Sequence, residues 1–134
     1  MNGKAFVFAL AVSGATAFCS VSASSMDGAP LASSKRVLVF HLTDVLNSGA
    51  EFKSAGRTEM TNWGALPYLA AAGEAKIALK NSNKGLKVWA VAPDGTRLRP
   101  VPATYAEGAY RFTVRIAAGE GANAPTMVYE LAAR

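Results

Sequence analysis

The chain has 134 residues, 51% of them hydrophobic and 17% charged, with a net charge of +5, one Cys and one His. That size suits one domain and excludes an enzyme built from separate cofactor and substrate domains. A lone Cys excludes an intrachain disulfide, a lone His without a Cys pair excludes a zinc finger, and a modest, scattered positive charge does not argue for nucleic acid.

Residues 1–23 predict a secretory signal peptide. Lys4 gives a positive start, residues 5–18 are apolar or small throughout, and Val21, Ser22 and Ala23 supply the small residues a signal peptidase reads. The apolar stretch falls short of the roughly 20 residues a membrane-spanning helix needs. A second possible cut follows Ala15-Thr16-Ala17, which would leave Cys19 near the new N-terminus. A lipoprotein site wants a small residue before the Cys, and Phe18 stands there. The expected cut is therefore after Ala23. It leaves 111 residues at net +4 with no Cys, because Lys4 is the one charge removed and Cys19 goes with it. Such a chain is secreted or periplasmic, has no membrane span after cleavage, and is stabilised by packing alone.

Residues 24–34 are small, polar and Gly/Pro-bearing, and read as a short flexible leader. The folded domain is expected over residues 35–134. There, turn signals recur roughly every ten residues, at Asn47-Ser48-Gly49, residues 81–85, Pro93-Asp94-Gly95, Glu107-Gly108 and Gly119-Glu120-Gly121. That spacing predicts an all-β fold, a single antiparallel β-sandwich (Ig-like or jelly-roll-like) of about 7–8 strands.

The segments between the turns agree. Residues 37–42 form a β-branched and aromatic run, expected to be buried on both faces. Residues 66–72 contain helix formers behind Pro67 but run for less than two turns before Gly73, so a loop or one helical turn is expected. Residues 76–80 alternate, with Ile77 and Leu79 inward and the lysines outward. Residues 86–92 and 96–99 make a hairpin through Pro93-Asp94-Gly95, with Gly supplying the positive φ of the return. Residues 109–116 alternate most cleanly. Tyr110, Phe112, Val114 and Ile116 share one face; Arg111, Thr113 and Arg115 share the other. Residues 126–131 repeat the pattern, with Met127, Tyr129 and Leu131 on one face.

Catalytic chemistry finds little footing. The acids sit beside turn residues or on outward strand positions. Asp44 and Glu59 are the exceptions, and nothing in the sequence pairs them, whereas glycoside hydrolysis needs two carboxylates facing one bond. His41 ends an apolar strand, no Gly-x-Ser-x-Gly elbow accompanies it, and it reads as a structural residue bonding a neighbouring backbone group. No phosphate loop or metal-ligand cluster is present, so no catalytic residue, cofactor or metal is expected.

Binding is the remaining chemistry. Aromatic rings stack on the flat apolar faces of sugars. Lys87, Trp89 and Val91 share a strand face, and Lys87 draws that face, with Trp89, toward water. The competing reading covers Trp89 with a loop or the second sheet. Trp63 sits at a strand end, as a ligand platform or as a plug over the core. Lys76, Lys80, Arg97, Arg99, Arg111 and Arg115 all point outward from predicted strands. If those strands are neighbours, they make a positive face suited to sulfated or carboxylated polymers.

Four motifs occur in a telling order: an apolar strand ending His41-Leu42, a Trp-Gly-x-Leu-Pro element at 63–67, a Lys-x-x-Leu-Lys-Val-Trp-Ala-Val-x-Pro-Asp-Gly hairpin at 84–95 and a closing Thr-Met-Val-Tyr-Glu-Leu at 126–131. The order resembles the C-terminal β-sandwich accessory domains of bacterial polysaccharide-degrading glycoside hydrolases, agarase-like and β-galactosidase-like. It covers residues 35–134. The catalytic acids of that family lie in a barrel that is missing here, so the resemblance implies no catalytic residue. It implies a carbohydrate-binding module, or one that supports a carbohydrate-active enzyme, with Trp89, Trp63, Arg111 and Arg115 as the candidate sugar contacts. The alternative is a structural or protein-interaction module, a remnant of a larger glycoside hydrolase. Polysaccharide or a carbohydrate-active enzyme is the expected partner, and nucleic acid is not.

Overall fold

A computed structural model describes residues 10–15 and 18–134. The architecture is all-β, as the turn spacing predicts. In chain order the strands are β1 (Leu10–Ser13), β2 (Ser20–Ser25), β3 (Arg36–Leu42), β4 (Val45–Ser48), β5 (Glu51–Phe52), β6 (Met60–Asn62), β7 (Ala65–Ala70), β8 (Gly73–Lys80), β9 (Lys87–Val91), β10 (Arg97–Val101), β11 (Ala103–Ala106), β12 (Ala109–Ile116) and β13 (Val128–Ala132). One 3-10 turn, Gly121–Asn123, precedes β13. No helix among the described residues is long and apolar enough to cross a membrane.

Two antiparallel sheets form a sandwich. Sheet A has the order β1-β8-β12-β11, and sheet B has the order β10-β9-β13-β3-β2. The core between them is built from alternate residues. Ala75, Ile77 and Leu79 of β8 and Tyr110, Phe112 and Val114 of β12 face Val37 and Val39 of β3, Val88 and Ala90 of β9, and Tyr129 and Leu131 of β13. Period-2 alternation lets one face of each strand lose water while the other keeps it. Fully burying a side chain such as Leu131 stabilises the fold by about 1.5–3 kcal/mol.

The turns follow the sequence. Glu107 and Gly108 both have positive φ, 53° and 74°, and join β11 to β12. Two consecutive positive-φ residues make the tight hairpin return whose twist matches the strands. Gly95 takes φ 91° between β9 and β10, where Asp94 accepts a 2.9 Å hydrogen bond from the Thr96 amide.

Some expectations change. Residues 37–42 are not buried on both faces: Val37, Val39 and His41 are buried, while Leu38 and Phe40 are half-buried on the outer face of sheet B. The strand is interior to its sheet, between β2 and β13, but its sheet has only one layer packed on it. Residues 66–72, expected as a loop or helical turn, lie mostly in β7. Leu66 precedes a Pro, which disfavours helix there, and pairing with β4 outweighs the helix preference of the alanines. Glu130 points outward yet is only 6% exposed, because Arg97 (2.9 Å) and Arg36 (3.5 Å) close over its carboxylate.

The N-terminal expectations fall partly on residues 1–9, 16 and 17, which lie outside the described residues. Of the rest, β1 pairs with β8 and β2 pairs with β3. The segment expected as a leader is tied down. The Asp27 carboxylate accepts hydrogen bonds from the Lys35 amide (2.7 Å) and from the hydroxyls of Ser34 (2.7 Å) and Ser25 (2.9 Å). These donors hold its carboxyl well below the usual carboxylate range. Asn81 donates to the carbonyls of Leu31 and Ser34 and fixes the segment to the loop after β8.

Candidate functional site

Between β3 and β8 the chain leaves the sandwich as a nested ribbon over residues 43–72. β4 pairs with β7, and β5 pairs with β6 nearer the tip. Its base is closed by Ala71 donating to the Asp44 carbonyl and the Thr43 hydroxyl donating to the Ala71 carbonyl, both at 2.7 Å. Every residue of β7 is exposed. The ribbon therefore shows its side chains to water, and those side chains are Trp63, Leu66, Tyr68 and Leu69.

Trp63 is 75% exposed and Tyr68 68%. The expectation that Trp63 plugs the end of the core is overturned, because its strand end belongs to the ribbon and not to either large sheet. Its backbone is nevertheless fixed. The Asn47 side-chain amide donates to the Trp63 carbonyl at 2.9 Å, and the Gly64 amide donates to the Asn62 side chain at 2.9 Å. Gly64 has φ 69°, and a Cβ there would stand 2.3 Å from the Ser48 carbonyl oxygen. Only glycine fits so close an approach. The result is a free indole on a held backbone.

Trp89 is placed otherwise. It lies on the outer face of sheet B, as the alternation with Lys87 predicts, but it is half-buried. The Arg97 guanidinium sits 5.0 Å from its ring centroid, and its indole N–H is enclosed without a partner among the described residues. Arg97 occupies the ring face a sugar would need.

Arg111 and Arg115 share the outer face of sheet A with Lys76 and Lys80, because β8 and β12 pair along their whole length. Four of the six expected basic residues are thus on one face, whereas Arg97 and Arg99 belong to β10 in the other sheet. A shallow trough of about 580 Å³ lies on this face. Its floor carries Lys76, Ala78, Arg111 and Thr113, and its walls are β1 and the segment from Val101 to Thr104. A second hollow of about 300 Å³ shares Thr113 with the trough and reaches Arg115 and Arg99. The Tyr129 hydroxyl crosses from sheet B and bonds both the amide and the carbonyl of Arg115 at 3.1 Å, which fixes the backbone at that end.

The two acids that came nearest to catalysis are separately engaged. Asp44 is ion-paired with Arg57, and Glu59 with Lys53 at 2.9 Å. His41 is fully buried, and neither ring nitrogen has a partner among the described residues, so it does not bond a backbone group as expected. Burial pushes its pKa down. No group of His, Cys, Asp and Glu among the described residues could hold a metal ion.

No protein-family model, curated protein or solved structure matches the chain.

Tyr68, Leu66 and Leu69 escaped sequence reading, since the run around Pro67 resembles the start of a helix. The available signal was the pre-proline position of Leu66, which favours an extended chain. Lys76 and Lys80 were legible as outward residues, but their partners across the sheet were not.

Proposed function

We propose that this protein is an exported, non-catalytic β-sandwich module that binds carbohydrate, alone or in support of a carbohydrate-active enzyme. The observation that carries the reading is the Trp63 indole, exposed on a backbone held by Asn47 and Gly64, with the Tyr68 ring on the same ribbon. An aromatic ring on a backbone that is already held has only its own side-chain torsions to order when it stacks on a sugar face. The order of motifs that resembles glycoside hydrolase accessory domains adds support, as do the ion pairs that occupy Asp44 and Glu59 and the complete burial of His41. Affinity electrophoresis of the full chain through gels containing neutral and acidic polysaccharides tests it. Retardation that Trp63→Ala abolishes is the expected result. Unchanged mobility in every gel sinks the proposal.

A second reading is a protein-interaction module. Leu66, Leu69 and Val45 are exposed beside the two rings, and a cluster of exposed aliphatic side chains suits a protein surface better than a sugar. Under this reading Leu69→Ser abolishes association with a partner enzyme and Trp63→Ala leaves polysaccharide binding unchanged.

A further inference from the structure

The register of β8 against β12 sets the four cations of sheet A in a regular order. Moving along the face in steps of two residues, Arg115 stands opposite Glu74, Lys76 opposite Thr113, Arg111 opposite Ala78, and Lys80 opposite Ala109. Each rung holds one cation, contributed alternately by β12 and β8. Side chains on one face recur every second residue, so rungs are about 7 Å apart and the four span roughly 20 Å. The residues opposite Lys76, Arg111 and Lys80 are Thr or Ala. Small partners leave the cationic heads accessible, and two of them, Thr113 and Ala78, floor the trough of about 580 Å³.

We propose that this ladder binds a linear, acidic polysaccharide laid along β8 and β12, with successive carboxylates or sulfates meeting successive rungs. The inference takes its polymer class from the carbohydrate reading above but uses a different surface. No carboxylate among the described residues lies within ion-pair distance of Lys76 or Lys80. Arg111 and Arg115 do have acids nearby, Glu107 at 3.6 Å and Glu74 at 3.8 Å. Those contacts are long and solvent-exposed, and such pairs yield readily to a competing anion. Arg99, from the other sheet, lines the adjoining hollow with Arg115, its guanidinium donating to the carbonyls of Ala122 and Ala124.

The face also discriminates between polyanions. Among the described residues the outward positions of its paired strands are Ser, Thr, Ala, Lys and Arg with one acid, Glu74, and none is aromatic. Single-stranded nucleic acid is held by base stacking as well as by charge, and this face provides no ring. The hydroxyls of Thr113 and Thr104 beside the cations suit a chain of sugar hydroxyls punctuated by acids.

The test is a binding titration of the full chain at low salt with four probes: polygalacturonate, dextran sulfate, neutral dextran and single-stranded poly-dT. The expected result is binding to polygalacturonate, dextran sulfate or both, weakening as salt rises. Polygalacturonate alone assigns the rungs to carboxylates; dextran sulfate alone assigns them to sulfates. Lys76→Ser with Arg111→Ser is expected to weaken that binding roughly tenfold, as the loss of two exposed ion pairs implies. Lys87→Ser, an exposed lysine on the outer face of sheet B, is expected to leave it unchanged. Circular dichroism of each variant shows that the sandwich is intact, since the replaced side chains are exposed. Equal weakening by Lys87→Ser overturns the ladder, as does poly-dT binding at least as tight. Trp63-dependent binding of dextran without binding of either acidic polymer overturns the ladder and leaves the proposed function standing. Failure of all four probes overturns both.

Discussion

In the sandwich, Ile77, Leu79, Tyr129 and Leu131 lose nearly all contact with water, whereas in the ribbon Trp63, Leu66, Tyr68 and Leu69 keep most of theirs. The two regions use the same kinds of side chain in opposite ways. The sandwich has a second layer for each apolar face to press against. The ribbon has two short strand pairs and no layer over them, so it is held by backbone pairing, by Asn47 and Ser48 bonding carbonyls across the strands, and by the Asp44–Arg57 ion pair across its loop. Stability therefore concentrates in the sandwich, and the ribbon surface is left available for contact with other molecules.

The contrast breaks most visibly at the core. Leu131→Ala is expected to destabilise the protein by about 2–5 kcal/mol, the cost of a lost transfer energy plus a cavity. Urea denaturation followed by far-UV circular dichroism measures it. Leu69→Ala, the same deletion on the ribbon, should change that midpoint by no more than about 0.5 kcal/mol. Similar losses in the two variants would mean that the ribbon is covered.

Gly64→Ala comes next. Positive φ costs a side chain about 1–2 kcal/mol, and the close approach to Ser48 adds to it. The ribbon should open locally while the sandwich stays folded, so hydrogen exchange rises over residues 43–72 and not over β8 and β12. A uniform rise would show that ribbon and sandwich unfold as one unit.

His41 gives the sandwich a pH signature. Its pKa is lowered by burial, so the unfolded chain binds the proton more readily than the folded one. Its contribution is intact above the unfolded imidazole pKa of about 6.5 and is lost as pH falls below it. The urea midpoint should drop from pH 7 to pH 5, and His41→Leu should flatten that drop. An unchanged slope in the variant would place the acid sensitivity elsewhere.

The smallest expected effect on stability belongs to Trp63→Ala, within about 0.5 kcal/mol of the parent. Its consequence should appear in polysaccharide retention alone, which separates a binding residue from a packing one. A substantial fall in the urea midpoint would instead make Trp63 a structural residue.

The sequence was most readable where one physical rule acted alone. In residues 76–80 and 109–116, strict alternation identified the inward residues because a half-buried strand has a period of two. Glu107-Gly108 and Pro93-Asp94-Gly95 were readable as returns because few residues accept positive φ. Residues 66–72 misled, since a Pro followed by Leu and Ala suits a helix start as well as a strand, and pairing with β4 made the choice. Trp63 and Trp89 were each open to an exposed and a covered reading, and the structure took the exposed one for Trp63 and the covered one for Trp89. Each had a neighbour-based reading, but exposure depends on what lies above the ring, and for Trp89 that is Arg97 from a strand the hairpin brings alongside.

The sequence by itself determined the β class, the turns and which side of β8 and β12 faces the core, because these follow from local sterics and from the two-residue period of a strand. Tertiary structure alone decided that β8 lies beside β12 in the register that sets one cation on each rung, that residues 43–72 leave the sandwich, and that His41 is sealed inside it. Those facts depend on which distant segments meet, and local preference carries no record of that choice.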